Sequence, residues 1–221
     1  MPVPKTLRTI GPDVLQYIAD HSEPDDDLLV DLKHAAEKEG LPPIWISPTQ
    51  ARLIQILVKI HRPRLVVELG TLGGYSAISI GRALKAGARL LTFEIDSGRA
   101  TFARKWIERA GLSDRVEVRP GDARELMAEL SDDSVDMLFI DADKEGYETY
   151  LDDGMRVVKR GGLVLADNAL GFGEILDDKS DSPSVQALRR FNARVARERK
   201  LDSVIVPMGD GFWVAIKEDS T

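Results

Sequence analysis

The sequence predicts a doubly wound α/β fold: a central, mostly parallel, seven-stranded sheet with helices on both faces and a last strand running antiparallel to the rest. Three observations predict it. Short runs rich in Val, Leu, Ile and Phe alternate with helix-patterned stretches from Ser47 onward. Residues able to bind or react follow those runs one after another, at Gly70 to Ser76, Glu94, Gly121 to Ala123, Asp141 and Asp167. The last two runs are joined only by Met208-Gly-Asp-Gly211, which permits a hairpin but no crossover, so the final strand must reverse direction.

At 221 residues and 43% hydrophobic composition, the chain suits one well-buried domain rather than two. Residues 1–43 read as an N-terminal helical extension and residues 44–221 as the main domain. In the extension, Asp25 to Glu39 places Leu28, Leu29, Leu32, Ala35 and Ala36 at helical spacing, with acids at its start and Gly40 as its stop. This helix is expected to pack on the main domain or on a second subunit, and Leu41-Pro-Pro43 breaks it. Ser47-Pro-Thr-Gln50 is a capping box with Pro at the first helical position, opening a helix through Leu53, Ile54, Leu57 and Ile60.

Strand runs follow at Leu65 to Leu69, Arg89 to Glu94, Val116 to Arg119, Val135 to Asp141 and Leu163 to Ala166. Helix-like stretches start at Tyr75, Arg99, Asp122 and Gly146, the third opened by a second capping box, Asp122-Ala-Arg-Glu125. Gly111 and Gly161-Gly162 are expected to stop helices. A late helix from about Ser184 to Arg199 precedes the strands Asp202 to Val206 and Phe212 to Lys217.

Composition narrows the function. A net charge of -7 opposes a nucleic-acid partner, because that affinity comes largely from Lys and Arg neutralising phosphates. The absence of cysteine removes disulfides, thiol nucleophiles and thiolate zinc sites. His21, His34 and His61 have no motif spacing and read as surface or packing residues. No apolar stretch reaches the roughly 20 residues needed to span a bilayer, and the N-terminus lacks a leader pattern. A cytoplasmic protein with a small-molecule substrate and no membrane partner is expected.

Two strand ends bear the candidate chemistry. Phe139-Ile-Asp-Ala-Asp-Lys144 ends one apolar run and Leu163-Val-Leu-Ala-Asp-Asn168 the next. If those strands are neighbours, Asp141, Asp167 and Asn168 bring hard oxygen ligands to one spot, suited to a divalent cation, with Lys144 nearby as a proton acceptor. The alternatives are helix or loop capping for Asp141, Asp167 and Asn168, and for Lys144 a solvated pair with Asp143 or Glu145. Upstream, Gly70, Gly73 and Gly74 occupy the turn after the first strand, where a ligand can approach the backbone; Ser76 adds a hydroxyl. Glu94 can accept hydrogen bonds from ribose hydroxyls, and Gly121-Asp122-Ala123 would flank an adenine ring. The spacing Gly-x-x-Gly-Gly differs from the Gly-x-Gly-x-x-Gly of dinucleotide binders, although Glu94 would serve NAD equally well.

Together, Val67-Glu-Leu-Gly-Thr-Leu-Gly-Gly-Tyr-Ser76, Phe139-Ile-Asp-Ala-Asp-Lys144, Tyr147-Glu-Thr-Tyr150, Arg160-Gly-Gly162, Asp167-Asn168 and Gly209-Asp-Gly211 resemble the cation-dependent O-methyltransferases. That family includes catechol and caffeoyl-CoA O-methyltransferases and their bacterial relatives. The resemblance runs from about Ile46 to Lys217 and implies a Rossmann-like class I methyltransferase fold. It also implies S-adenosyl-L-methionine as methyl donor, Mg2+ (or Mn2+ or Ca2+), an aromatic diol acceptor and a homodimer.

By matching position, the resemblance places Ile46, Ser47, Glu68, Gly70, Thr71, Gly74, Tyr75, Ser76, Glu94, Gly121, Asp122, Ala123 and Asp141 at the methyl donor. Asp141, Asp167 and Asn168 match its metal ligands and Lys144 its catalytic lysine, with Asp141 serving donor and metal alike. One departure is Ala169-Leu-Gly-Phe172, where bacterial relatives commonly have a valine, a leucine and a tryptophan lining the acceptor pocket.

Other readings are a non-catalytic S-adenosylmethionine-binding protein, which the intact Asp141, Lys144, Asp167 and Asn168 set opposes, and an RNA methyltransferase, which the acidic balance opposes. The basic run Arg189-Arg190, Arg194, Arg197, Arg199 and Lys200 reads as a solvated helix face, or as a contact for an anionic acceptor such as a CoA thioester. Trp45, Trp106 and Trp213 read as core or interface residues.

Overall fold

A computed structural model describes residues 11–218. The first ten positions of the expected extension and the last three of the main domain lie outside the described residues. The described residues begin with helices α1 (Pro12–Asp20), α2 (Asp27–Lys38) and α3 (Pro48–His61). It then alternates: β1 (Leu65–Leu69), α4 (Tyr75–Ala83), β2 (Arg89–Glu94), α5 (Ser97–Arg109), β3 (Val116–Pro120), α6 (Ala123–Ala128), β4 (Val135–Ile140), α7 (Tyr147–Val157) and β5 (Val158–Ala166). Helix α8 (Pro183–Val195) leads to β6 (Leu201–Val206) and β7 (Phe212–Lys217).

The seven strands form one sheet in the order β3-β2-β1-β4-β5-β7-β6. β1 to β5 pair in parallel, and β7 inserts antiparallel between β5 and β6. The expected reversal of the last strand is therefore present. Strand order turns around between β1 and β4, so the crevice beyond their carboxyl ends is where this class of sheet binds ligands.

Alternation along each strand builds two cores. Val66, Leu90, Met137, Phe139 and Leu165 face α2 to α5, whereas Val67, Leu91, Leu138, Ile140 and Val164 face α6 to α8. Helix α2 joins the first core through Leu29, Leu32 and Ala36. Its charged edge is tied down by the pairs Arg82–Asp26 at 2.8 Å and Arg109–Asp31 at 3.8 Å.

Local signals held to different degrees. The Ser47–Gln50 capping box forms in both directions, and Gly111, at φ +69°, follows α5. Asp122 caps α6 through the N–H of Arg124, not through residue 125 as a capping box requires. Gly161-Gly162 does not stop a helix. α7 ends at Val157 and β5 starts at once, with both glycines inside it. There the register slips from Val135↔Val158 to Met137↔Leu163, so the glycines belong to a bulge. Gly161 takes φ +73°, and a Cβ on Gly162 would lie 2.6 Å from Val158 Cγ1. α8 stops at Val195, four residues before the expected end at Arg199. Among the described residues, no helix is long and apolar enough to cross a membrane.

Candidate functional site

The turn after β1 is shaped by close approach. Gly70 takes φ +94°, and a Cβ there would lie 2.1 Å from the carbonyl oxygen of Asp141. The ends of β1 and β4 can meet only if residue 70 has no side chain. Leu72 adopts φ +48°, a conformation costing a non-glycine about 1–2 kcal/mol, and is held there by its N–H donating to Glu94 Oε2 at 2.7 Å. Gly74 begins α4 at φ +90°, with Ala103 Cβ 3.3 Å from where its own Cβ would stand.

Beyond this turn lies a cavity of about 610 Å³, within the range of small-molecule sites. Of the expected donor-binding residues, Ile46, Gly70, Thr71, Tyr75, Ser76, Glu94, Gly121, Asp122, Ala123 and Asp141 line it, as do Lys144 and Asn168. Ser47, Glu68, Gly74 and Asp167 are not among its lining residues. Ser47 caps α3 behind the wall, and Gly74 faces Ala103. Glu68 is fully buried in β1, where Oε2 accepts from Thr92 Oγ1 at 2.5 Å and Oε1 has no hydrogen-bond partner. Burial pushes its carboxyl up to about 7, partly offset by the hydroxyls of Ser76 and Thr92.

Glu94 accepts N–H groups from Leu72 and Asp96, one on each oxygen. That fixes its carboxylate and leaves further lone pairs for a ligand. Tyr75 Oη donates to Asp25 Oδ1 at 2.7 Å, and Lys33 joins the same carboxylate while lying 4.3 Å from the Tyr75 ring centroid. The N-terminal segment thus reaches the cavity wall. Trp45 lines the cavity, whereas Trp106 and Trp213 are buried in the cores. None of the three histidines lines it.

The acidic end is built by the register of β4 on β5. Ile140 pairs with Ala166, so Asp141 and Asp167 follow side by side, and Asp167 N–H donates to Ile140 O at 3.1 Å. Lys144 Nζ lies 3.3 Å from Asp141 Oδ1 and 2.8 Å from Tyr147 Oη. The alternative partners are occupied elsewhere: Asp143 accepts from Tyr150 Oη at 2.5 Å and Glu145 from Ser184 Oγ at 2.8 Å.

Burial raises both Asp141 and Asp167. For Asp167, burial and then the charge of Asp141 push the carboxyl up to about 7, opposed by Lys144 and Gln50. One buried and one partly buried carboxylate beside a single lysine leave the spot short of positive charge. Among the described residues no group of three or more His, Cys, Asp or Glu side chains is placed to hold a metal ion. Two carboxylates and one amide oxygen remain a hard donor set that fits an oxygen-seeking divalent cation.

Of the residues bracing this end, Gln50 and Asn192 had no functional signal in the sequence, and Asp210 was marked only through the Gly209-Asp-Gly211 match. Gln50, read only as a helix cap, donates Nε2 to Asp167 Oδ1 at 2.6 Å while its Oε1 accepts from Ser47 N–H at 3.0 Å. Asp210 accepts from Asn168 Nδ2 at 3.3 Å and from Phe172 N–H at 2.6 Å. Asn192 donates to Ala169 O at 2.7 Å and accepts from Trp213 Nε1 at 2.7 Å. The segment after Asn168 is thereby gripped by the turn between β6 and β7 and by α8, and Phe172, 78% exposed, lines the cavity. Hydrogen bonds between distant positions leave no periodic trace, so the roles of Gln50 and Asn192 were not legible beforehand.

Comparison with known proteins agrees with this geometry. The model of a family described as O-methyltransferase matches residues 19–218. A catechol O-methyltransferase of Niastella koreensis is 38% identical over 205 residues, covering 91% of this chain and 90% of that protein. A catechol O-methyltransferase of Mycobacterium tuberculosis is 35% identical over 210 residues, covering 93% and 95%. Among solved structures, an O-methyltransferase from Bacillus cereus in complex with SAH superposes with a TM-score of 0.85 at 36% identity, covering 93% of this chain and 97% of that one.

Proposed function

Given that the chain belongs to the O-methyltransferase family, we propose that this S-adenosylmethionine-dependent enzyme of the catechol and caffeoyl-CoA type uses a divalent cation, magnesium first, to methylate one hydroxyl of a small vicinal-diol aromatic. One observation carries the cation and the acceptor class. Asp141, Asp167 and Asn168 follow the ends of the neighbouring strands β4 and β5, with Lys144 Nζ 3.3 Å from Asp141, and Asp141, Asn168 and Lys144 line a cavity that continues into the glycine turn.

Methyl transfer breaks a carbon–sulfur bond in the donor and forms a carbon–oxygen bond to the acceptor, whose hydroxyl proton must leave. A divalent ion held by Asp141, Asp167 and the Asn168 oxygen would supply Lewis acidity, favouring the ionised acceptor at neutral pH. Lys144 is the proton acceptor on this reading. Its Nζ hydrogen-bonds Tyr147 Oη, which sits between it and the backbone oxygens of Ile140 and Asp167. That arrangement confines the amine beside Asp141 rather than in open solvent. Glu94 would hold the donor's ribose, Gly121 to Ala123 its adenine, and Gly70 to Ser76 its amino-acid end, with Glu68 beneath them. Trp45 and Phe172 add aromatic surface to the lining of the cavity, suited to contact with an aromatic acceptor.

Of the basic run, only Arg189, Arg190 and Arg194 fall on α8, and these three do not favour a CoA thioester. Arg189 donates to the carbonyls of Ile175, Glu174 and Asp177, while Arg190 pairs with Glu148 and Arg194 with Asp152. These arginines are engaged within the chain, which supports a free phenol as the acceptor. The exposed apolar side chains of α1, Val14, Leu15 and Tyr17, support a homodimer.

The test is catechol methylation by the purified protein with and without magnesium. Activity is expected to vanish with a chelator and return with the ion. Asp167→Ala is expected to abolish transfer while SAH binding, followed by calorimetry, persists. Full turnover in chelator, or in Asp167→Ala, would reject the cation-dependent reading.

A further inference from the structure

We infer that Asp210 is a positioning residue for the ion site, fixing which end of the Asn168 amide faces the two carboxylates. This rests on the proposed assignment of Asp141, Asp167 and Asn168 as ion ligands. An amide has one oxygen able to bind a hard cation and one NH2 that repels it, and the two ends have nearly the same shape. Packing alone selects poorly between them, so a hydrogen-bond partner must. Asp210 Oδ2 accepts from Asn168 Nδ2 at 3.3 Å, and Oδ1 accepts from Phe172 N–H at 2.6 Å. An ionised carboxylate only accepts, so it has no stable contact with the amide turned the other way. With Nδ2 committed to Asp210, Asn168 Oδ1 is the end left for the ion.

The turn between β6 and β7 places that carboxylate. Leu170 N–H donates to Asp210 O and Ala169 N–H to Gly211 O, each at 2.9 Å. Both flanking glycines are required: a Cβ on Gly209, at φ +56°, would stand 2.2 Å from Gln50 Oε1, and one on Gly211, at φ +79°, 2.6 Å from Leu170 Cγ. Gln50 in turn holds Asp167. The turn that braces Asn168 therefore lies against the side chain that holds the neighbouring ligand. Its job extends beyond closing a hairpin.

The experiment measures Mn2+ binding by electron paramagnetic resonance of the free ion, without acceptor, and SAH binding by calorimetry. Asp210→Asn keeps the size of the side chain but offers one acceptor to two donors. Outer partners of metal ligands typically contribute about 10- to 100-fold in affinity, and a loss of that size is expected for Mn2+. SAH affinity is expected to stay within about twofold, the range of uncoupled changes. The same substitution is then made beside Asn168→Asp, whose carboxylate presents an oxygen in either orientation. There Asp210→Asn is expected to alter Mn2+ affinity by less than about twofold. Equal losses in the two backgrounds would mark Asp210 as merely structural and overturn the inference, as would undiminished Mn2+ binding by Asp210→Asn in the native background. Asp167→Ala separates the levels. If it loses Mn2+ while Asp210→Asn does not, only the role of Asp210 falls; if it binds Mn2+ as tightly as the parent, the ion assignment itself falls.

Discussion

Glu68 sets the terms at the scale of single residues. A carboxylate with no exposure, one unpartnered oxygen and a carboxyl pushed up to about 7 is a group the fold holds at a cost. Below its ordinary value of 4.5 it is protonated whether the chain is folded or not, and the cost is absent. Between 4.5 and about 7 the unfolded chain releases the proton and the folded one does not, so stability falls as pH rises. Above that window the penalty is constant, on the order of 3 kcal/mol at most. Glu68→Gln keeps an acceptor for Thr92 and removes the ionisation. In urea titrations of ligand-free protein from pH 4 to 8, the variant is expected to lose this part of the pH dependence. A pH profile identical to the parent's would show that Glu68 is not the group responsible. The sequence offered Glu68 only through its place in the first strand's motif. Its burial, its bond to Thr92 and its bare oxygen come from the β1–β2 pairing, which sets Glu68 opposite Thr92.

Strands and helices were legible where a pattern is local. The bounds of β1, β2 and β7 follow from their apolar runs, and the start of α3 from its capping box. The glycines of β5 were not legible, because a bulge and a helix stop both call for positive φ, and only the partner strand decides between them. The same ambiguity surrounds every glycine in a turn, and a matched pair of substitutions resolves it for Gly70. Gly87 takes φ +82° with nothing within 4 Å of where a Cβ would stand, so Gly87→Ala meets backbone strain alone, about 1–2 kcal/mol. Gly70→Ala meets comparable strain, at φ +94°, and also the Asp141 carbonyl at 2.1 Å. It must force the end of β1 away from β4. Gly70→Ala is therefore expected to lower the melting temperature well beyond Gly87→Ala and to abolish SAH binding, which Gly87→Ala leaves intact. Equal effects from the two changes would mean that φ, not the approach of the strands, explains the glycine.

At the level of the whole molecule, the sequence led to the expectation that the extension's helix packs on the main domain or on a second subunit, but not to the residues it meets there. Composition shifts near Leu41-Pro-Pro43, but side chains across that break share one core: Leu32 of α2 is fully buried, belongs to the same cluster as Ile54 and Ile78, and lines the cavity. Asp25, just before α2, accepts from Tyr75 on the opposite side of the break. Contacts of this kind join segments dozens of residues apart, and no local pattern announces them. They tie the stability of α2 to that of the donor pocket. Leu32→Ala is expected to cost about 2–5 kcal/mol, the range for truncating a fully buried leucine. In a chain of this size that lowers the melting temperature by roughly 5–15 °C. Because α2 contributes to the shared core, calorimetry should show one transition, lowered as a whole, and saturating SAH should raise it in the parent and less in the variant. Two separate transitions in the parent, only one of them responding to Leu32→Ala, would show that α2 folds as a unit apart from the pocket it covers.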